Sequence, residues 1–319
     1  MTVDASNSLA SPPARDLSLP VFVLLACALV LLARFVGPLA APAHLLMPLP
    51  LLLAGLRQGL RAAAAVSLLA MALQIALSGL PAMLFYLAAY GGPTLLLVVL
   101  LRQGRRWPQA TLGAVLLSLA GLAGLLLLAA GPDLGRVDQL VGDYVTQQAE
   151  LVRQLYQQAE LSADQRLELL QVVDQAAYFF RQTFPAIAVV GLGLIYLISL
   201  SLALTWRVQT LLLHGPLFTR LRVAESLIWL LILAGFALLL PQPQIKRLAL
   251  NLLVVLLPLY FLQGLAIISH YLQKKGFSLV SRAFVYTLVV VFNPLPLLVT
   301  AMGVFDLWFD FRKPRVKTS

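Results

Sequence analysis

Two short stretches hold the residue types that could do chemistry in this chain, Gly91-Gly92-Pro93 and Asn293-Pro294-Leu295-Pro296. Proline has no backbone N–H, so it frees the carbonyl one turn earlier, and in lipid such a group needs a partner. Broken helices of this kind build binding sites in transporters, where exposed backbone and helix ends face the ligand. The same residues also read as proline kinks closed by neighbouring helices. Little else in the sequence offers reactivity. It contains no Gly-rich loop followed by Lys and Ser or Thr, no His-Glu-x-x-His and no nucleophile elbow, so the reading is of a non-enzyme without cofactor or metal. The single cysteine, Cys27, leaves no internal disulfide and no zinc cluster. "LLAC" at Leu24 to Cys27 faintly resembles a lipoprotein cleavage site, but apolar sequence continues through Leu32, which makes it an ordinary residue of an uncleaved first span.

The elements that must position these breaks are membrane helices. With 61% hydrophobic and 11% charged residues and a mean hydropathy of +0.90, the chain has too little polar surface to coat a soluble globule of 319 residues. Apolar runs long enough to cross a bilayer recur near residues 19–36, 40–56, 62–80, 81–101, 110–130, 185–206, 223–240, 248–270 and 283–308. Ionisable groups deep in these runs are almost absent. Arg34, Glu225 and Asp306 fall near span ends, where they reach headgroups or water, and His44, His214 and His270 read as interfacial side chains. A proton-driven pump would place a carboxylate near the midplane, and no span shows one.

The net charge of +10 is spread in short clusters between spans, which read as topology signals and not as a nucleic-acid surface. Arg57 and Arg61, Arg102 to Arg106, Arg207 to Arg222, and Lys274 to Arg282 close alternate connections, which should be cytoplasmic together with the N-terminus. Residues 131–183 carry four arginines against eight acidic residues and should lie outside. The tail conflicts with this pattern. Nine spans from an inside start leave the C-terminus outside, whereas Arg312, Lys313, Arg315 and Lys317 argue for inside. The last segment, with its broken centre, is the suspect.

In the insert, Val137, Leu140, Val141, Tyr144, Val145, Leu151, Val152, Leu155 and Tyr156 form the apolar stripe of an amphipathic helix. Ser162 and Gln165 have the spacing of a capping box and mark a second helix, whose apolar face continues through Leu167, Leu170, Val173, Ala177 and Phe180. Together they predict a hairpin, either a packed structural element or a lid over the bundle mouth. At the other end of the chain, Asp306 and Asp310 are four apart on one face and are read as solvated, with Trp308, Phe309 and Phe311 as an interfacial aromatic belt. The tetrad Pro-Leu-Pro-Leu occurs at Pro48 to Leu51, inside an apolar run, and again at Pro294 to Leu297, in the middle of one.

"FPAIAVVGLGLIYLISLSLALTWRV", "FTRLRVAESLIWLLILAGFALLL", "GLAIISHYLQKKGFSLVSRAFVYTLVVV" and "MGVFDLWFDFRK" resemble, in order, the YybS-like family of bacterial inner-membrane proteins, a domain of unknown function. The resemblance spans roughly residues 19–313. Its most specific piece is Gly303-x-x-Asp306-x-Trp308-x-Asp310-Phe311-Arg312, and "MPLPLLLAGLRQGLRAAAA", with Pro48, Pro50, Gly55 and Gly59, is similar to its first-half signature. Ala224 stands where proline is expected for the family. The Pro48, Pro50, Gly55 and Gly59 pattern is also similar, more weakly, to substrate-binding subunits of energy-coupling-factor vitamin transporters, although the paired small residues those subunits carry in span one are missing here.

The sequence therefore predicts an all-α, polytopic transmembrane bundle of about 8–10 spans with an extracytoplasmic amphipathic hairpin. Its parts are a disordered tail (1–18), an N-terminal membrane half (19–130), the insert (131–183), a C-terminal membrane half (184–309) and a basic tail (310–319). The expected setting is a bacterial inner membrane. The expected partner besides the bilayer is a small molecule, bound or transported, or alternatively another protein held by a noncatalytic scaffold. Nucleic acid is not expected.

Overall fold

In the computed structural model the described residues are 18–36, 40–131, 134–159, 162–205 and 218–312, and among them the chain is all-α. The expected disordered tail, Arg207, His214 and the basic residues after Arg312 lie outside that set.

Twelve helices follow one another: α1 (Leu19–Phe35), α2 (Ala40–Leu46), α3 (Leu49–Gln58), α4 (Leu60–Tyr86), α5 (Gly92–Arg102), α6 (Trp107–Ala130), α7 (Leu134–Gln158), α8 (Ala163–Thr205), α9 (Leu227–Ala237), α10 (Pro243–Lys274), α11 (Leu279–Val291) and α12 (Leu295–Phe309). A single wide turn, Leu87–Gly91, joins α4 to α5. By length and composition, five helices can cross a membrane, or six with α11 and α12 taken as one bent span. Fewer helices meet these criteria among the described residues than the nine apolar runs of the sequence. α1 and α9 are shorter apolar helices, the two runs on either side of residue 80 are continuous by helix criteria, and the final pair is bent by 101°.

Continuity near residue 80 does not mean a straight rod. Gly79 has φ 81° and ψ −176°, outside the helical region and open to glycine because it lacks a Cβ. A straight helix would separate Ser67 from Gly91 by about 36 Å. Instead a Cβ on Gly91 would lie 2.9 Å from the Ser67 hydroxyl. The chain folds back at Gly79, so the two apolar runs are antiparallel neighbours, as the sequence reading had them.

The buried core is built from α1 to α6 with the membrane part of α8, and includes Phe22, Leu51, Leu52, Leu53, Leu97 and Tyr196. The C-terminal helices are covered less. Trp229 and Phe236 on α9, and Val280 and Phe284 on α11, are largely exposed, which suits faces turned to acyl chains where apolar burial needs no protein.

The hairpin forms as predicted in part. Ser162 Oγ accepts from Gln165 N, and Gln165 Oε1 accepts from Ser162 N, both at 3.2 Å, the two halves of the capping box. What the sequence missed is that its second helix does not end at the membrane: α8 runs unbroken for 43 residues, from the hairpin through Pro185 into the bundle. α10 begins beside the hairpin, where Arg247 pairs with Asp138 at 2.7 Å. It then runs about 48 Å to Lys274. The basic end of α10 and the hairpin thus sit at opposite ends of the molecule.

Candidate functional site

At the first break, Pro93 offers no N–H to the Ala89 carbonyl one turn before it. Two hydroxyls from other helices fill that gap. Tyr196 of α8 donates to Ala89 O at 2.7 Å and Ser118 of α6 donates to it at 3.1 Å, with the two hydroxyl oxygens 2.9 Å apart. The freed carbonyl is closed by neighbours, the kink alternative of the sequence reading. Gly91 admits the Ser67 hydroxyl, and a Cβ on Gly92 would lie 3.3 Å from Leu87 O.

Around this closed carbonyl stand hydroxyls that are not closed. Tyr86 is 1% exposed, Thr94 and Ser199 are 0% exposed, and the oxygen of each lacks a hydrogen-bond partner. Thr94, Tyr86 and Tyr90 lie near Tyr196, while Ser199 follows Tyr196 by three residues on α8 and Thr111 of α6 is a further buried hydroxyl without a partner. Helical threonines ordinarily turn back to the carbonyl four residues before them, as Thr146, Thr183, Thr287 and Thr300 do here. Thr94 does not, and its fourth residue back, Tyr90, belongs to the wide turn. Leaving a buried hydroxyl unpaired costs about 1–3 kcal/mol, and native proteins keep few such groups. Aromatic rings wall the site: Tyr86 and Tyr90 lie 6.0 Å apart, His44 stacks on Tyr90, and His44 Nδ1 is 3.2 Å from the Tyr90 hydroxyl. Sequence reasoning found the break but missed these side chains. The signal was present as Tyr86, Tyr90 and Thr94, spaced by four along one face.

The second break is of another kind. α11 and α12 meet through the cis peptide Asn293–Pro294, with Asn293 and Pro294 exposed and Pro296 half-buried. Thr300 closes the Pro296 carbonyl at 2.8 Å. The two breaks are not brought together: the first packs among α4, α5, α6 and α8, the second among α10, α11 and α12.

Pro294 caps α12 and Pro296 is its second residue. Pro48 and Pro50 hold the same two positions in α3. The bond from Leu298 N to Pro294 O repeats that from Leu52 N to Pro48 O. The first tetrad is therefore a helix start inside the candidate span Ala40–Gln58, since proline is preset for the first turn, where no N–H is required. At the end of α3, Gly59 turns the chain at φ 102° and Arg102 Nε donates to Gly55 O at 2.9 Å. A Cβ on Gly55 would strike Val98 at 2.6 Å.

The motif at Gly303 to Arg312 is a lock. A Cβ on Gly303 would lie 1.9 Å from Tyr260 O, and one on Gly264 would lie 2.0 Å from Val299 O, so α10 and α12 meet backbone to backbone. Beside that crossing Asp306, 3% exposed, accepts from Arg312 Nη2 at 2.6 Å, Phe311 N at 3.0 Å and Gln263 Nε2 at 3.2 Å. Arg312 Nη1 donates to the carbonyls of Thr219 and Leu221, both at 3.0 Å, and Gln263 Oε1 accepts from Val223 N at 2.7 Å. Arg222 pairs with Asp310, and Tyr271 donates to Phe311 O. Asp306 and Asp310 are thus not solvated, as expected from sequence, but ion-paired, because the loop before α9 folds onto the end of α12. Trp308 and Phe309 do face outward, as a belt would.

This lock also fixes where α12 ends. The end of α12 lies at the Tyr271 end of α10, so α11 and α12 form a bent excursion whose end, at Arg312, returns to the end of α10 that carries Lys274 and Lys275.

Residues 24–307 match the family described as predicted membrane protein (DUF2232). The chain belongs to that family. Comparison with curated proteins and with solved structures gave no match.

Proposed function

We propose that this member of the DUF2232 family is a noncatalytic integral membrane protein that binds a small molecule inside its N-terminal bundle, as a step in transport. The observation that carries the reading is the set of unpartnered buried hydroxyls, Tyr86 and Thr94 on either side of the wide turn Leu87–Gly91 and Ser199 one turn along α8 from Tyr196. Wide turns inside helices are frequent at functional sites, and small-molecule sites pair an apolar wall with a few placed polar groups. The weaker similarity of Pro48, Pro50, Gly55 and Gly59 to the pattern of vitamin-binding subunits points the same way. Energy for transport would come from a gradient or a separate ATPase.

The test is a ligand-dependent thermal shift of the purified full chain across a metabolite panel. At least one compound should raise the Tm, and Tyr196→Phe should remove that shift, whereas Asn293→Ala should leave it intact. A flat response across the panel ends the reading.

The alternative is a scaffold that grips a protein partner with its hairpin. One observation favours it: an almost wholly apolar cleft of about 350 Å³ between α7 and α8, lined by Tyr144, Ala149, Val152, Ala176 and Phe180. A partner that co-purifies with the full chain and is lost on deleting residues 137–180 would support the scaffold over the binding site. For placement we propose a bacterial inner membrane with the basic end cytoplasmic. A reporter fused after Ser319 should then read cytoplasmic, and one inserted after Gln158 should read external.

A further inference from the structure

Resting on the small-molecule reading above, we infer that the ligand of this site is an uncharged, flat molecule carrying both a hydrogen-bond donor and an acceptor, such as a primary carboxamide or a neutral heterocycle. Three features select that class. The unpartnered groups, Tyr86, Thr94 and Ser199, are all hydroxyls, and each can donate and accept. A ligand with only acceptors or only donors would leave half of that capacity unmet.

Charge is the second feature. Among the described residues, the buried charges are the Asp306 carboxylate and the Arg312 side chain that pairs with it, and the carboxylate is already held by Arg312, Gln263 and the Phe311 amide. The buried residues of α1 to α8 include no carboxylate, lysine or arginine. A carboxylate or ammonium brought to Tyr196 would be taken out of water with no counter-charge to meet it, the situation in which buried charge is most costly. A neutral ligand meets no such penalty.

Shape is the third. The rings of Tyr86, Phe85 and His44 each lie about 6 Å from that of Tyr90, around the same turn. Flat molecules gain from stacking and edge contacts with such walls.

The experiment uses the purified full chain and three isosteres that share one ring and differ in charge: benzamide, benzoate and benzamidine. Benzamide should raise the Tm, and the anionic and cationic isosteres should not. The shift should vanish in Thr94→Val and persist in Thr94→Ser, which keeps the hydroxyl. In the ligand-free protein, Tyr86→Phe and Thr94→Val should raise the Tm by a few degrees, because each removes an unpaired polar atom without emptying much volume. If benzoate or benzamidine matches benzamide, the uncharged class is overturned while the small-molecule reading stands. No shift with any of the three overturns the class as well, since a metabolite found in the panel would then have to be of another kind. A lower Tm in both ligand-free variants would show that the hydroxyls have partners, and both the inference and the reading beneath it would fall.

Discussion

The two proline breaks sit in halves of the molecule that handle polarity in opposite ways. Around Pro93 the polar groups are neutral, buried and only partly paired: Tyr196 and Ser118 close Ala89, while Tyr86, Thr94 and Ser199 close nothing. At the end of the α11–α12 excursion the polar groups are charged, and Asp306 alone collects three donors. A network this fully paired, in which only Arg312 Nε lacks a partner, favours one arrangement, because every alternative strands a charge away from water. An unsaturated one leaves free energy that a ligand can recover. The difference teaches how a chain with so few ionisable residues handles polarity: the charged residues at the end of α12 hold the fold, and the plain hydroxyls near the first break are where we propose that a ligand binds.

Substitutions can break that contrast in order of effect. Arg312→Ala leaves Asp306 buried and without its cation, and should lower stability by about 3–5 kcal/mol. Denaturant unfolding in detergent measures it, and a loss well under 1 kcal/mol would show that the lock is ornamental. Gly303→Ala places a methyl against Tyr260 O and should force α10 and α12 apart, costing about 1–3 kcal/mol. Asn251→Ala comes next. Its side chain donates to Gln182 O at 2.8 Å and accepts from Ala186 N at 3.2 Å, bracing α8 on both sides of Pro185. Losing that brace should cost about 1–2 kcal/mol and should quicken proteolysis of the hairpin while leaving the Tyr196 site unchanged. Smallest is Ser162→Ala, which removes one half of the capping box and should cost about 1 kcal/mol, read as lower helicity of the hairpin with no change in the membrane bundle.

Much of the fold was legible locally. The apolar runs, the amphipathic stripe from Val137 and the Ser162–Gln165 box each depend on neighbours a few residues apart, so spacing alone reveals them. The span count was not legible. Length and hydropathy cannot tell a straight helix from one folded at Gly79, or a crossing segment from the α11–α12 excursion, and the sign of the C-terminal side turned on the latter. The candidate site was half legible. Pro93 announced a freed carbonyl, but Tyr196 lies 107 positions from Ala89. No local pattern joins them. Asp306 and Asp310 looked solvated for the same reason, because Thr219, Leu221 and Arg222 are about ninety residues away along the chain.

The sequence by itself determined the solvent this protein lives in, the helical class, the hairpin and the positions where helices must break, since these follow from composition, periodicity and proline chemistry. Only the tertiary structure decided what each break is for. A freed carbonyl or a buried carboxylate acquires its meaning from the groups that reach it. Around Ala89 those groups are neutral hydroxyls from α6 and α8, and around Asp306 they are three donors, one of them the charged Arg312.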